Sequence, residues 1–393
     1  MKNTFTLTVL LLITLTFFVG EVLAIPAFAR KYNMSCKTCH SPFPYLKAYG
    51  NDFAGNGFQL KDKDAPRYYA DTGDEYLSLI RDLPLAIRLE GYVTYNEGNA
   101  EQSDFTTPII FKLLSGGAIT KDVAYYVYYI IESGEPGKIE DAWLMFNNLF
   151  STELDFTIGQ FQVSDALFKR ELRLTKDDYY IYKVKPGYSN VDLTYDRGIM
   201  LSYGLDTGTD FALEVVNGNG IGEIFPTGDF DNDKYKNPFG RISQDINENF
   251  RIGAMGYLGT EEQESPSDSG YNGINDIWMV GGDATINFEP LELNIQYVFR
   301  NDNNAYFYYD NDVKIETQGG FAELIFRPNG DESDWYGVAL FNWIDSYEST
   351  LDLTQLSFQF GYLLRRNIRL VTEYTQDFTN EYGLIELGFV TAF

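Results

Sequence analysis

This chain is poor in the residues that usually build metal and redox centres. Its 393 residues include two cysteines and one histidine. A zinc centre needs about four N, S or O ligands, usually in paired clusters, and no second Cys/His cluster is present to complete a set. Basic residues are also scarce. The 30 Lys and Arg against 57 Asp and Glu leave a net charge of −27, so the basic face that nucleic acid requires is missing. Cations or cationic proteins suit such a field better. Proline is sparse, at 13 residues, and leaves long stretches free of breakers. Beyond residue 24 no uninterrupted apolar run approaches the roughly 18 residues of a membrane helix, which excludes a helical membrane protein.

What the chain has in excess is aromatic: 30 Tyr and 30 Phe. Hydrophobic residues make up 44% of the chain, yet its mean hydropathy is negative. That combination is expected where apolar and polar positions alternate and average out, as in an outer-membrane barrel.

The scarce residues fall together, as Cys36-Lys37-Thr38-Cys39-His40. Two cysteines two residues apart and followed by histidine form an attachment site for a c-type haem. Each thiol would form a thioether to one vinyl group, and His40 would give its imidazole to the iron. A thioredoxin-like pair would open a helix after a strand in a βαβ context, which is not visible here. A structural disulfide stays open as the other reading.

Residues 1–24 read as a secretory signal peptide: Lys2 is the positive start, Phe5 to Val19 the apolar core, and Val22-Leu23-Ala24 offers cleavage after Ala24. An uncleaved anchor is the alternative, for which the apolar core is short. Residues 25–60 form the haem segment. Within it Phe43, Leu46, Tyr49 and Phe53 recur at helical spacing and Asn56-Gly57 supplies a stop. One face of that helix suits a haem or, equally, the wall of a barrel. Residues 61–84, punctuated by Pro66 and Pro84, read as a linker or plug.

From residue 85 the period is two. Ile87, Leu89, Val93 and Tyr95 alternate with Arg88, Glu90, Tyr92 and Thr94, and similar segments recur to the C-terminus. There are about sixteen of them, each near the roughly 10 residues of a tilted membrane strand. The expected fold is therefore all-β: a sixteen-stranded antiparallel transmembrane barrel over 85–393, with a small helical haem segment before it. An even strand number closes the sheet and leaves no edge. The last residues, Ile385, Leu387, Phe389 and the terminal Phe393, share a face as a final barrel strand would. Asp229, Asp231 and Asp233 mimic the first half of a calcium loop. Lys234 and Gly240 stand where that loop needs Gly and Glu, which favours a solvated loop.

The iron's sixth ligand is open. No second histidine exists, so ligation by two histidines of one chain is excluded. The opening Ile25-Pro26-Ala27-Phe28-Ala29 resembles the start of mature cytochrome f, a likeness that implies ligation by the Ile25 α-amine. Ile25 lies 11 residues before Cys36, within an extended reach of up to about 36 Å. Met34, a thioether, ranks second, hindered by lying only two residues before Cys36. An open site ranks third.

The segments Gly159-Gln160-Phe161-Gln162, Glu140-Asp141-Ala142-Trp143 and Val216-Asn217-Gly218-Asn219-Gly220, followed by Asp231-Asn232-Asp233-Lys234, resemble the porin O/P family of sixteen-stranded barrels. The phosphate preference of some members does not carry over, since the chain is acidic and shows no cluster of lumen lysines. Phe28-Ala29-Arg30 with Cys36, Cys39 and His40, fused to such a barrel, resembles the monohaem cytochrome c–porin fusions of the outer membrane. That resemblance implies one covalent heme c in or at the barrel mouth. It implies electron transfer from Fe(II) or another extracellular donor to periplasmic cytochromes, that is, an Fe(II) oxidase of the cytochrome type. The alternative is a diffusion porin with a structural or sensory haem plug.

Overall fold

The fold is that of a computed structural model, whose described residues are 27–60, 69–70, 73–74, 76–81, 83–98, 102–222, 224–225, 228–265, 270–309 and 313–393. The signal peptide and Ile25 lie outside them. Two short helices open the described chain, α1 (Ala27–Tyr32) and α2 (Ala48–Gly55), with a 3-10 turn at Cys36–Thr38 between them. A small antiparallel pair follows, β1 (Tyr69–Ala70) with β2 (Leu79–Ile80).

The rest of the strands close one barrel. They are β3 (Leu85–Glu97), β4 (Gln102–Thr120), β5 (Val123–Glu132), β6 (Lys138–Leu149), β7 (Leu154–Gln162), β8 (Tyr195–Gly204), β9 (Thr209–Val216), β10 (Asn237–Asn247) and β11 (Phe250–Glu264). The ring continues through β12 (Asn272–Phe288), β13 (Leu291–Asp302), β14 (Ile315–Phe326), β15 (Trp335–Ser346), β16 (Leu353–Arg365), β17 (Ile368–Asp377) and β18 (Tyr382–Ala392). Each pairs with its sequence neighbours, and β18 returns to β3, so all sixteen expected strands are present in an all-antiparallel ring. Phe393 seals the seam, exchanging backbone hydrogen bonds with Ile87 at 2.7 and 2.9 Å.

The strands alternate as a membrane barrel's should. On β12, Ile274, Trp278 and Val280 face out and are exposed, while Asn275, Ile277 and Met279 face in and are buried. On β16, Phe358, Phe360 and Tyr362 face out, and Gln355, Ser357 and Gln359 face in. Outward side chains therefore form an apolar belt that suits lipid. Among the described residues no helix is long and apolar enough to cross a membrane.

The two ends differ. One carries tight connections such as 121–122, 248–249, 289–290 and 366–367, and the other carries long ones such as 163–194 and 217–236. In barrels of this kind the short turns face the periplasm. The longest connection, 163–194, does not project. It folds into the lumen, where Tyr179, Ile181, Tyr182, Val184, Val191 and Leu193 build an apolar core with inward residues of the wall such as Tyr257, Met279 and Phe321. Tyr179 stacks on Phe321 with ring centroids 4.0 Å apart.

Candidate haem segment at the short-turn mouth

The helix expected from Phe43 onward begins only at Ala48. Pro42 and Pro44 remove amide donors and fix the backbone, so residues 39–47 instead form a tight loop. It is closed by Ser41 N to Tyr45 O and Lys47 N to Cys39 O, both 3.0 Å. The helix ends where Asn56-Gly57 was expected to stop it. Gly57 takes a left-handed φ of +63° and packs so closely that a side chain would meet Ala124 Cβ at 2.5 Å.

The two cysteines flank one turn. The amides of Cys39 and His40 both donate to the carbonyl of Cys36, at 3.2 and 2.9 Å. Both are free thiols, each partly buried. Burial pushes both upward, Cys39 to about 11, so neither is the thiolate that a disulfide-exchange pair relies on. His40 Nδ1 donates to the carbonyl of Pro44 at 2.8 Å, which fixes the tautomer and leaves the Nε2 lone pair for a metal. Burial pushes its imidazolium down to about 4, so the ring is neutral at physiological pH, as a ligand must be. Phe43 meets the ring edge-on, with centroids 5.3 Å apart.

Helix α2 lies hard against this turn. A Cβ at Gly50 would stand 2.3 Å from the Cys39 carbonyl oxygen. Its other side carries Phe53 into an aromatic group with Phe28, Tyr32 and Phe58, and Phe58 packs on Tyr126 and Trp143 of β5 and β6 at 5.4 and 6.2 Å. Of the expected helical face, Phe53 thus reaches the aromatic group against the barrel wall, Phe43 packs on His40, and Tyr49 stays exposed. Across the mouth, Arg327 Nη1 donates to the carbonyl of Ser41 at 2.9 Å and Nη2 to Glu292 at 2.6 Å, while the Tyr45 hydroxyl also donates to Glu292. The exposed pair Lys37–Glu332 and the half-buried pair Lys47–Asp331, each 2.8 Å, add to that side. β5 and β13 stand half-way round the ring from one another, so the segment spans the mouth from wall to wall.

Beside Cys36 and His40 lies a narrow cleft of about 10 Å³, room for roughly one water. Phe43, Trp335, Tyr336 and Leu363 give it flat apolar surface, and Lys37, Arg327 and Arg366 give it cations. Arg327 Nε is buried without a partner. The donor set fits a haem, with paired thiols for thioethers, a histidine of fixed tautomer, apolar rings beside it and cations within reach of propionates, and the cleft would have to open to admit the ring. Met34 stands just past α1, its amide closing on Ala29 O at 3.1 Å, and is not part of the cleft's lining. Ile25, the first-ranked sixth ligand, is outside the described residues.

Sequence reasoning found the cysteines and histidine but not their anchors, Arg327, Glu292 and Gly50, which lie far apart in the chain. It expected no cluster of lumen lysines. The structure gathers Arg88, Lys112, Arg170, Arg173, Lys176 and Arg369 inside the barrel, set against carboxylates such as Glu90, Glu171, Asp178 and Glu386. Arg170, Arg173 and Lys176 come from the connection between β7 and β8, and Arg88, Lys112 and Arg369 from the inward faces of β3, β4 and β17. Asp231 and Asp233 serve as turn acceptors and ion-pair partners, for Tyr235 N, Glu262 N and Lys236 among others, and no metal-binding group of acidic residues occurs among the described residues.

No protein-family model matches the chain, and no characterised protein matches it in sequence. Solved structures do match in fold. The anion-selective porin of Comamonas acidovorans aligns with a TM-score of 0.57 at 10% identity, over 79% of this chain and 99% of that one. The outer membrane channel DcaP of Acinetobacter baumannii gives 0.54 at 14%, over 79% and 97%. A loop-deletion form of OmpT from Vibrio cholerae gives 0.53 at 12%, over 79% and 99%. The chain therefore carries a porin-like barrel of the outer-membrane type.

Proposed function

We propose that this chain is an outer-membrane electron-transfer protein, with a single covalent heme c held by Cys36, Cys39 and His40 at the periplasmic mouth of a porin-like barrel. The observation that carries this reading is the folded CxxCH turn, its histidine fixed through Nδ1 and its cleft lined by apolar rings and cations. A haem bound there would supply a one-electron iron couple. The protein's own contribution is positional. Arg327 and Glu292 hold the 39–47 loop to the wall, Gly50 lets α2 press on the Cys39 carbonyl, and Phe58 moors the far side. No acid or base is needed for outer-sphere transfer. Periplasmic cytochromes are the partners that the position suits, and the Fe(II) or other extracellular donor that the resemblance to cytochrome–porin fusions implies would need a path to that mouth. The Ile25 amine and Met34 remain the ranked candidates for the sixth ligand.

The test is a pair of spectra on protein made with the haem-attachment machinery: oxidised, then after anaerobic Fe(II). A reduced c-type spectrum on Fe(II) addition supports the oxidase. Reduction by dithionite alone leaves an electron carrier with another donor. Absence of haem overturns the proposal.

A second reading, a diffusion porin with a structural or sensory haem plug, is favoured by the fold likeness to an anion-selective porin and to a channel protein. It expects ion conductance that is independent of haem redox state.

A further inference from the structure

We infer that the barrel is a sealed housing rather than a pore, and that a redox centre carried by Cys36, Cys39 and His40 exchanges electrons only through the short-turn face. Two elements cross the lumen. The first is the 27–60 segment, moored at Trp143 on one wall and at Glu292 on the opposite one. The second, deeper, is the 163–194 connection. Its Glu171 accepts from Lys112 and Tyr128 on β4 and β5. The amides of Lys176 and Asp177 donate to Glu373 on β17, at 2.8 and 2.9 Å. Ser189 and Asn190 donate to Glu261 on β11, at 2.8 and 2.9 Å. Arg300 of β13 donates to the carbonyls of Val184 and Val191, at 2.8 and 2.7 Å.

A water-filled pore keeps its inward polar groups hydrated. Here many are buried and bonded to protein, although Glu214, Glu140 and Asp141 keep buried oxygens without a protein partner. Asn294 donates to Glu323 at 3.1 Å, Gln359 to Glu373 at 2.9 Å and Thr375 to Ser357 at 2.9 Å, and all six residues are buried. By contrast, the cleft beside His40 is edged by Lys37 and Arg366, whose side chains are 42% and 36% exposed at the short-turn end. A reductant at the long-loop face meets two crossing layers, whereas one at the short-turn face meets the edge of the cleft. The 27–60 segment therefore acts as a plug, reductant does not diffuse in from outside, and donor and acceptor alike meet the haem at the short-turn face. The sidedness half of the inference rests on the haem reading, and the sealed lumen does not.

The test uses the full holoprotein in lipid. In planar bilayers it is expected to give no steady conductance step on insertion, and a regular step of general-porin size would overturn the sealed lumen. In vesicles, dithionite is added outside. Each SO₂ radical anion gives one electron to a ferric iron and, with water, ends as sulfite. Orientation is scored with an impermeant maleimide on a Ser349→Cys variant, in the 347–352 connection of the long-loop end. The fraction of haem reduced before detergent should equal the fraction of chains whose cysteine is shielded, with the remainder reduced only after detergent. Reduction of all haem before detergent, or of the fraction whose cysteine is labelled, would overturn the sidedness. A preparation without haem would defeat the haem reading, and the conductance measurement would still decide the lumen.

Discussion

The barrel wall and the two segments that cross it are built on different logic. The wall repeats one rule: an outward apolar side chain, an inward polar or packed one, and a neighbour on each side to satisfy the backbone. Each strand carries that rule locally. The crossing segments, 27–60 and 163–194, carry no such period. They are held by scattered long-range contacts, such as Arg327 to Ser41 or Arg300 to Val184 and Val191, and by the apolar core that 163–194 builds with the wall. Damage to the wall is shared along a ladder. Damage to a crossing segment falls on one or two buried charges, so the segments should come loose while the wall stands.

That contrast can be broken in several ways. The largest effect is expected from Cys36→Ser combined with Cys39→Ser. Covalent haem should fall from one per chain to none, read by haem stain after a denaturing gel, while the barrel keeps its heat-modifiable migration. Loss of the barrel as well would mean that wall and segment are not separable. Next is Arg300→Ala, which strands the buried Asp302 carboxylate, now bonded to Arg300 at 2.7 and 2.8 Å. Removing one partner of a buried pair costs about 3–5 kcal/mol. The loss should appear in denaturant unfolding and as new protease cutting within 163–194.

Gly50→Ala is a milder probe. The added methyl would press on the Cys39 carbonyl, and such overpacking costs about 1–3 kcal/mol. Protease sensitivity should rise within 27–60, and the wall's unfolding midpoint should stay put. Smallest is Lys47→Ala, which breaks a half-buried rim pair with Asp331 and should change stability by about 1 kcal/mol or less. A loss of several kcal/mol there would show the rim to be more dehydrated than its exposure indicates.

How much was legible follows the same division. All sixteen strands could be read because side-chain period survives in sequence, as on β3, where Tyr92 is buried beside the exposed Val93. Cys36, Cys39 and His40 could be singled out because they stand together in the chain as a CxxCH. The helix start was misplaced because helical spacing at Phe43 and Leu46 hides the effect of Pro42 and Pro44. Folding of the 163–194 connection into the lumen could not be read, since its partners, Glu261, Glu373, Asn342 and Arg300, sit on four distant strands. The mooring of Tyr45 to Glu292 joins residues 247 apart and leaves no local trace.

The central claim is that the CxxCH turn is a haem site built into the mouth of this barrel. The most direct test is a pyridine haemochrome measurement on full-length protein from cells that carry the haem-attachment machinery, after acid–acetone extraction has removed any unattached haem. One c-type haem per chain, absent from the double serine variant, is the expected result. A folded barrel with no residual haem would contradict it and leave a porin-like barrel plugged by a segment of another purpose.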